Sequence, residues 1–331
     1  MKILYTSHRG LPDQRIEKTA YIAKKHGHRP FFLGIGRTGN PDLPVFEDII
    51  MLPRVNYPQV VFSRSLRKAW GEAVSNISPD LIHANDIIAG HLSSALGYPM
   101  VYDDHEYWSA QRITFRSWPL RQRITSMPFY LLIPSWERRL LENHVTITVS
   151  ERIAIEHRRH CEHVFVLQNF SLLDEVRDLP VNPERSGVAY VGGDFSRGRF
   201  SSHRNMEGLT EHVTFDAFSG LPRTELYSRL VRYRYGLLPF KATSYAKYSN
   251  SAKTFDYLNC GLEVIMTRAL YEAHERLPFT VPFDEYPDIP RILETHAPAD
   301  PADIMNYAHE NLVWEAQEDK LFEAYELALE K

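Results

Sequence analysis

Residues 251–261 read SAKTFDYLNCG and predict a short helix with an exposed front end. Ser249 or Ser251 can cap its start, and Gly261 fits its end. The first turn then presents unpaired backbone N–H groups and a partial positive charge. A helix start of this kind is a common binding site for phosphate.

Two charged residues lie near this helix start. Lys253 adds a positive charge in the first turn, and Asp256, three residues later, shares its face. A carboxylate in this place can accept the two hydroxyls of a ribose, as acidic residues do in nucleotide-binding folds. The same spacing also fits an ordinary helix with an ion pair worth a few tenths of a kcal/mol.

Outward from this helix, short apolar runs alternate with helical patterns. Strand patterns in the first half are KILYTS, RPFFLG, DLIHAN, MVYDDH, TITVS and HVFVLQN, with helices at QRIEKTAYIAKKHG and GHLSSALG. In the second half, the strand patterns VAYVGG, VTFDAF, YGLLPF and LEVIMT surround the helix RTELYSRLVRY and the opening helix. This alternation predicts an α/β protein with two doubly wound, Rossmann-like domains, whose ligands bind at the carboxyl ends of the strands, in the cleft where the domains face each other.

A polar, proline-bearing segment separates the two halves. It spans residues 171–187 (SLLDEVRDLPVNPERSG) and places the domain junction there. We therefore expect a first domain at 1–170 and a second at 171–311. The final segment, 312–331, predicts an amphipathic helix, with apolar side chains at helical spacing at Trp314, Leu321, Phe322, Tyr325 and Leu329.

Composition excludes several classes of protein. The chain has 331 residues and a formal net charge of −4, which argues against nucleic acid as a partner. Only Cys161 and Cys260 are present, so we expect no disulfide framework and a cytoplasmic location. The opening residues do not fit a secretory signal, and no apolar run is long enough to span a bilayer, although contact with the inner membrane surface stays open.

Taken together and in order, these motifs resemble GT-B glycosyltransferases, in particular glycosyltransferase family 4. The segment GLLPF…YSNSAKTFDYLNCGLEVIMT is similar to the family's donor-binding segment. PDLIHANDIIAGHLSSAL, VYDDHEYW, ITVSERIA, VLQNFS and VAYVGG are similar to further family elements, and the likeness covers most of the chain. The resemblance implies a retaining transferase of the hexosyltransferase type, and a last helix that crosses back onto the first domain.

The resemblance also assigns donor-binding residues. It implies that Lys253 contacts a diphosphate and Asp256 a ribose, in a place where the family more often has glutamate. Tyr248 stands where the family has a second carboxylate, and Gly193 where it has an arginine. This leaves Arg197, with Arg199 close by, as the phosphate cation, and further contacts could come from Lys241, Tyr245 or Asn250. The expected donor site is thus Gly193, Arg197, Lys241, Tyr248, Ser251, Lys253 and Asp256.

His105 and Glu106 follow the strand pattern MVYD, so both should stand at the carboxyl end of a strand. A histidine in such a turn is often a structural hydrogen-bonding residue. The resemblance implies that His105 touches the donor sugar near the reacting carbon. We therefore predict His105 and Glu106 as the catalytic residues.

Three other motifs suggest sites that we do not expect. GIGRTG (34–39) matches a dinucleotide fingerprint, but prolines follow where a helix should begin, so we predict a loop. HRRHCEH (157–163) resembles half of a zinc site, and we predict a solvated helix end. Asp103 and Asp104 could bind a metal as an acidic pair, but GT-B enzymes do not anchor a catalytic metal on such a motif, so we expect no metal and no cofactor beyond the co-substrate.

The segment 109–140 is basic and aromatic. Six arginines there face a single acid, Glu137, and Phe115, Trp118, Phe129 and Tyr130 lie among them. Such a surface fits an anionic membrane and a lipid-linked or otherwise anionic acceptor, while a solvated helix pair with core aromatics fits equally well. The predicted acceptor and membrane side comprises Arg112, Arg116, Trp118, Arg121 and Arg123.

The sequence thus predicts a transferase that moves a sugar from a UDP- or GDP-sugar to a glycan, lipid-linked or small-molecule acceptor. A GT-B sugar-nucleotide epimerase and a non-catalytic sugar-nucleotide-binding protein remain open alternatives. Conversion of the donor in the absence of an acceptor would distinguish the epimerase.

Overall fold

The computed structural model describes residues 1–54, 62–110, 120–192, 208–240 and 246–331, without the side chains of Gln122, Arg123 and Thr125. Two compact units make up this part of the chain. Met1–Leu167 with Gln317–Lys331 form the first unit, and Gln168–Ala316 form the second.

The first unit is built on a parallel sheet. Its strands are β1 (Lys2–Thr6), β2 (Arg29–Ile35), β3 (Ile49–Leu52), β4 (Leu81–Asn85), β5 (Met100–Asp104), β6 (Val145–Thr148) and β7 (Val164–Val166). Its helices include α1 (Gln14–Lys25), α2 (Arg64–Ile77), α3 (Asp86–Ser93), α4 (Leu120–Asn143) and α5 (Glu151–His157). The strand order is β3-β2-β1-β4-β5-β6-β7. The order reverses between β1 and β4, and ligands of doubly wound sheets bind beside such a reversal.

The second unit repeats this architecture on a smaller scale. Its elements are α6 (Leu173–Val176), β8 (Val188–Val191), β9 (Asp216–Phe218), α7 (Arg223–Leu230), β10 (Tyr235–Leu238), α8 (Ala252–Asn259), β11 (Glu263–Thr267), α9 (Arg268–Ala273), β12 (Thr280–Phe283), α10 (Asp288–Thr295) and α11 (Pro301–Asn311). All strand pairs are parallel, in the order β12-β11-β10-β8-β9. The order reverses between β8 and β10.

The last helix, α12 (Glu318–Glu330), belongs to the first unit. Its buried residues are Leu321, Ala324, Tyr325 and Ala328. Of the predicted apolar positions on this helix, Leu321 and Tyr325 are buried, Phe322 is half-buried and Leu329 is exposed. The short 3₁₀ turn Trp314–Gln317 precedes it, and Trp314 lies in the second unit rather than on this helix.

The predicted fold class, two parallel-sheet α/β domains, is confirmed. Several bounds differ: α3 begins directly after β4, four residues before the predicted helix GHLSSALG, and β9 is half the length of its strand pattern. The GIGRTG segment ends β2 and continues without a helix, so the prediction of a loop is confirmed. No helix in the described ranges is both long and apolar enough to cross a bilayer.

Candidate active site

Polar side chains converge at the carboxyl ends of β4 and β5 in the first unit. Asn85 ends β4, and His105 and Glu106 directly follow β5. These strands pair in register, with Asn85 beside Asp103. The edge of the sheet therefore brings together residues that are twenty positions apart in sequence.

Asp103 lies at the centre of this group and is buried. Arg15, from α1, donates to its two oxygens at 2.9 and 2.8 Å, and His83 Nε2 lies 3.0 Å from Oδ2. Burial alone would raise the pKa of Asp103, but the Arg15 and His105 charges outweigh it and hold the pKa well below its usual range. Asp103 is therefore a buried anion.

His105 is held through its Nε2 atom, which lies 3.0 Å from Asn85 Oδ1 and 3.4 Å from Asp103 Oδ2. The Asn85 amide nitrogen donates to the carbonyls of Thr6 and His83, so its oxygen faces the imidazole. Burial opposes the charged form of His105, but Asp86 and Asp103 outweigh it and raise its pKa to about 9. His105 is thus a cation at neutral pH, with 15% of its side chain exposed.

Glu106 and Asp86 add two carboxyl groups. Desolvation by the surrounding protein and the Asp86 charge raise the pKa of Glu106 to about 7, although the side chain is exposed and water screens part of this effect. Asp86 has a φ of 66°, a strained backbone for a non-glycine residue, and accepts a hydrogen bond from Trp108 Nε1 at 3.3 Å. Strain of this kind concentrates at functional sites.

Asp104 lies on the opposite face of the sheet from Asp103, because side chains alternate along a strand. It accepts a hydrogen bond from Tyr102 at 2.8 Å and lies 2.6 Å from His157 Nε2. The two aspartates therefore cannot chelate one ion. His157 and Cys161 are buried, so the prediction that the whole HRRHCEH segment is a solvated helix end is wrong for these two residues.

Glu137 completes a buried group with Asp104 and His157, whose potential metal-binding atoms lie within 4.8 Å of one another. Ser109 donates to both Glu137 oxygens, and burial raises the pKa of Glu137 to about 7. Protons and hydrogen bonds can satisfy this group, and we assign no metal to it. From the sequence, Glu137 counted against the six arginines of 109–140 in the charge balance of the surface. Because Glu137 is buried, it does not offset their charge at the surface.

The opening helix of the sequence analysis is α8 in the second unit. Its N-cap residue is Ser251, whose side chain makes no capping hydrogen bond. The Ser251 N–H instead donates to His274 Nε2 at 3.4 Å. Burial lowers the pKa of His274 to about 4, so the ring is neutral and Nε2 can accept. Gly261 follows the helix with a φ of 76°, as expected for a helix end.

Asp256 is half-buried and already has protein partners. Its Oδ1 accepts hydrogen bonds from Tyr227 at 2.8 Å and Ser171 at 3.0 Å. Within the described residues, no partner is seen for Oδ2. Lys253 on the same helix is half-buried, and Tyr248 stacks beneath the Lys247 ammonium at 4.7 Å.

A cavity of about 420 Å³ opens at the carboxyl ends of β11 and β12. Phe240, Phe283 and Tyr286 line it together with His212, Arg268 and Thr267. Among the described residues, the buried Thr267 hydroxyl has no hydrogen-bond partner. The sequence did not predict this cavity, although the aromatic residues Phe240 after β10 and Phe283 and Tyr286 at the end of β12 were a visible signal.

Several predicted site residues lie outside the described residues. They are Gly193, Arg197, Arg199, Lys241 and Tyr245 on the donor side, and Arg112, Phe115, Arg116, Trp118 and the Arg123 side chain on the acceptor side.

Helix α4 carries an exposed apolar stripe. Phe129 and Tyr130 are buried in the core, as the alternative of a helix pair with core aromatics predicts for these two residues. The exposed side chains recur at helical spacing beside the exposed Arg121. They are Leu120, Ile124, Met127 and Leu131, which are 69%, 62%, 42% and 64% exposed.

Most residues of the group around His105 and Asp103 were not predicted from the sequence. Arg15, His83, Asn85 and Asp86 were not singled out, and Asp103 was considered only as a metal ligand. The available signals were polar residues at buried positions, such as the alternation of His83 and Asn85 within the apolar strand LIHAN.

No protein-family model and no curated protein sequence matches this chain. Among solved structures, it is similar to sucrose-phosphate synthase (tll1590) from Thermosynechococcus elongatus, with 14% identity, a TM-score of 0.70 and 98% of both chains covered. It is also similar to Anabaena Alr3699/HepE in complex with UDP and glucose, with 13% identity, a TM-score of 0.66 and coverage of 99% and 100%. WaaG, a glycosyltransferase involved in lipopolysaccharide biosynthesis, gives 14% identity, a TM-score of 0.60 and coverage of 99% and 98%. The likeness over the full length shows that this chain has the GT-B fold of these proteins.

Proposed function

We propose that this protein is a glycosyltransferase that moves a sugar from a nucleoside diphosphate sugar to an acceptor held by the first unit. The observation that carries the proposal is the likeness over nearly the whole chain to WaaG, a glycosyltransferase, and to Alr3699/HepE, which was solved with UDP and glucose. The cationic His105 at the strand ends and the start of α8, where the Ser251 side chain makes no capping hydrogen bond, supply chemistry that fits it.

The donor would lie at the start of α8. Backbone N–H groups there, with Lys253, would bind the diphosphate. Oδ2 of Asp256 would accept the ribose hydroxyls, while Tyr227 and Ser171 hold the carboxylate through Oδ1. Ser251 and Tyr248 border this helix start, and Arg197, Lys241 and Gly193 complete the proposed donor site.

The reaction depends on stabilising charge on the departing diphosphate, which is the dominant electrostatic effect in such sites. Lys253 and Arg197 would neutralise that charge, and His105 would contact the sugar. The acceptor hydroxyl would attack on the face that the diphosphate leaves, with retention of configuration, and its proton would pass to an oxygen of the departing diphosphate. Glu106, beside His105, would bind a sugar or acceptor hydroxyl.

The acceptor side would lie near α4, with contact to an anionic membrane at the cytoplasmic surface. The exposed stripe of α4 and Arg121 support this part of the proposal, because apolar side chains enter the acyl region while arginines bind anionic headgroups. A lipid-linked acceptor would be presented at the same surface.

A donor screen tests the function. Thermal unfolding is measured with UDP, GDP and their sugars. One nucleoside diphosphate and its sugar should raise the free energy of unfolding, by about 2.7 kcal/mol at a hundredfold excess over the dissociation constant. Transfer should then persist in EDTA, because we propose no metal cofactor. Lack of stabilisation by any nucleoside diphosphate or its sugar would overturn the proposal.

A sugar-nucleotide epimerase is the second candidate. His105 and Glu106 are neighbours, with pKa values of about 9 and about 7. This pair would suit an acid and a base that act on a sugar ring. Incubation with the donor alone distinguishes the two functions, because only the epimerase would form an isomer without an acceptor.

A further inference from the structure

A row of buried polar contacts joins the last helix to His105. The Tyr325 hydroxyl of α12 lies 2.8 Å from His83 Nδ1, and His83 Nε2 lies 3.0 Å from Asp103 Oδ2. The same oxygen lies 3.4 Å from His105 Nε2. Tyr325, His83 and Asp103 are all essentially inaccessible to water, so these contacts have no competing solvent partner.

The positions of the protons follow from what each group can donate. Asp103 is an anion and can only accept, so His83 Nε2 carries a proton. Burial lowers the pKa of His83 and outweighs the pull of Asp103, which leaves a neutral ring with a single N–H. Nδ1 must therefore accept, and the Tyr325 O–H donates to it. Only this His83 tautomer satisfies both contacts.

We infer that Tyr325 is a positioning residue for His105: its hydroxyl supports the His83 tautomer that donates to Asp103, and thereby fixes the carboxylate that holds His105. This inference rests on the proposed function in one respect only, namely that His105 contacts a sugar. The arrangement itself is a property of the first unit, because all four residues belong to it.

Other charged or titratable groups surround His105 and must stay constant in any test. Arg15 comes from α1, His8 and Arg9 from the segment after β1, and Asp86 from α3. His83 and Glu106 lie on β4 and after β5. Of these groups, only His83 loses a hydrogen bond when the Tyr325 hydroxyl is removed. When its N–H donates less firmly to Asp103, more of the carboxylate charge is left for His105.

The test compares Tyr325→Phe with Tyr5→Phe. Tyr5 is equally buried, and its hydroxyl lies 3.0 Å from that of Tyr325 and makes no hydrogen bond to His83. The Tyr5 ring stacks on His83 with centroids 5.0 Å apart, and a phenylalanine ring keeps that contact. Each change thus removes one buried hydroxyl from the same cluster. Proteins labelled with ¹⁵N-histidine are titrated by NMR without any ligand, and the titration midpoint of His105 and the tautomer of His83 are read from the imidazole nitrogens.

We expect wild-type His83 to be protonated at Nε2 and to accept a hydrogen bond at Nδ1. Tyr325→Phe should raise the His105 midpoint by roughly 0.3 to 1 pH unit, while Tyr5→Phe leaves it unchanged. The expected shift corresponds to part of the free energy of one hydrogen bond. Equal midpoints in both variants would overturn the inference. If Tyr325→Phe does not fold, a wild-type His83 protonated at Nδ1 overturns it as well. None of these readouts requires sugar transfer, so failure of the proposed function is a separate result.

Discussion

Arg15 and Asp103 form a buried bidentate ion pair, in which Nε and Nη2 of the arginine lie 2.9 and 2.8 Å from the two carboxylate oxygens. The pair connects α1 to the end of β5, and Arg15 also donates to the carbonyl of Leu167 at 2.8 Å. It keeps Asp103 anionic in a dry environment, and the anion in turn holds His105. The positions of the candidate catalytic residues thus depend on a helix distant in sequence.

Arg15→Met should therefore lower the free energy of unfolding by about 3–5 kcal/mol, because it leaves the Asp103 charge buried without its partner. Urea denaturation measures the loss. The control is Arg29→Met, which breaks the exposed pair with Glu47 and should change stability little. Equal effects of the two substitutions would contradict a special role for the buried pair.

The raised pKa of His105 predicts a pH dependence of stability. Because the pKa rises from 6.5 to about 9 on folding, the charged imidazole stabilises the fold fully below about pH 6.5, and this contribution disappears as the pH rises through 9. The stability difference between the wild type and His105→Gln should shrink over that window. A difference that stays constant from pH 6 to 10 would show that folding does not raise the pKa of His105.

Asp256→Ala should weaken binding of the nucleoside diphosphate sugar about tenfold or more, or about 1.4 kcal/mol, because the ribose loses its acceptor. Tyr227→Phe should have a smaller effect in the same direction, since Tyr227 only orients the carboxylate. Isothermal titration calorimetry provides the measurement. The control is Glu225→Ala, because Glu225 is exposed and lies on α7, the helix that carries Tyr227. Unchanged affinity in Asp256→Ala would assign this carboxylate to structure alone.

Two glycines with the same φ of 76° separate backbone strain from crowding. A Cβ at Gly261 would lie 2.9 Å from Met305 Cγ and 3.0 Å from Arg185 Nη1, whereas one at Gly97 would meet nothing within 4 Å. Both alanine variants incur the strain of a positive φ, about 1–2 kcal/mol. Gly261→Ala should be the less stable of the two in thermal unfolding, and equal melting temperatures would rule out crowding beneath α8.

The apolar stripe of α4 predicts membrane binding. Ile124→Glu with Leu131→Glu should abolish co-sedimentation with anionic liposomes, because both exposed side chains would bring charge into the acyl region. Ile155→Glu is the matched control, since this exposed isoleucine lies on α5. If the wild type fails to bind at low salt, or the control loses binding equally, the membrane part of the proposal is wrong.

The features that were predictable from the sequence are the local ones. Strand and helix patterns predicted the two parallel sheets, because hydrophobic periodicity and turn residues act over a few residues. The helix at 251–261 and the positive φ of Gly261 were predicted for the same reason. Buried polar residues such as His83 could be suspected from the sequence, but their pairing could not. Arg15 and His83 reach Asp103, and Tyr325 reaches His83, only through the packing of α1, β4 and α12.

The sequence by itself determined the architecture, the loop at GIGRTG and the placement of His105 and Glu106 at the end of a strand. Only the tertiary structure decided which aromatic residues of α4 are buried, that His157 pairs with Asp104, and that Asp256 already has two hydroxyl partners. The reason is physical: periodicity specifies which face of an element turns inward, but which groups meet there, and with what charge, depends on elements far apart in the chain.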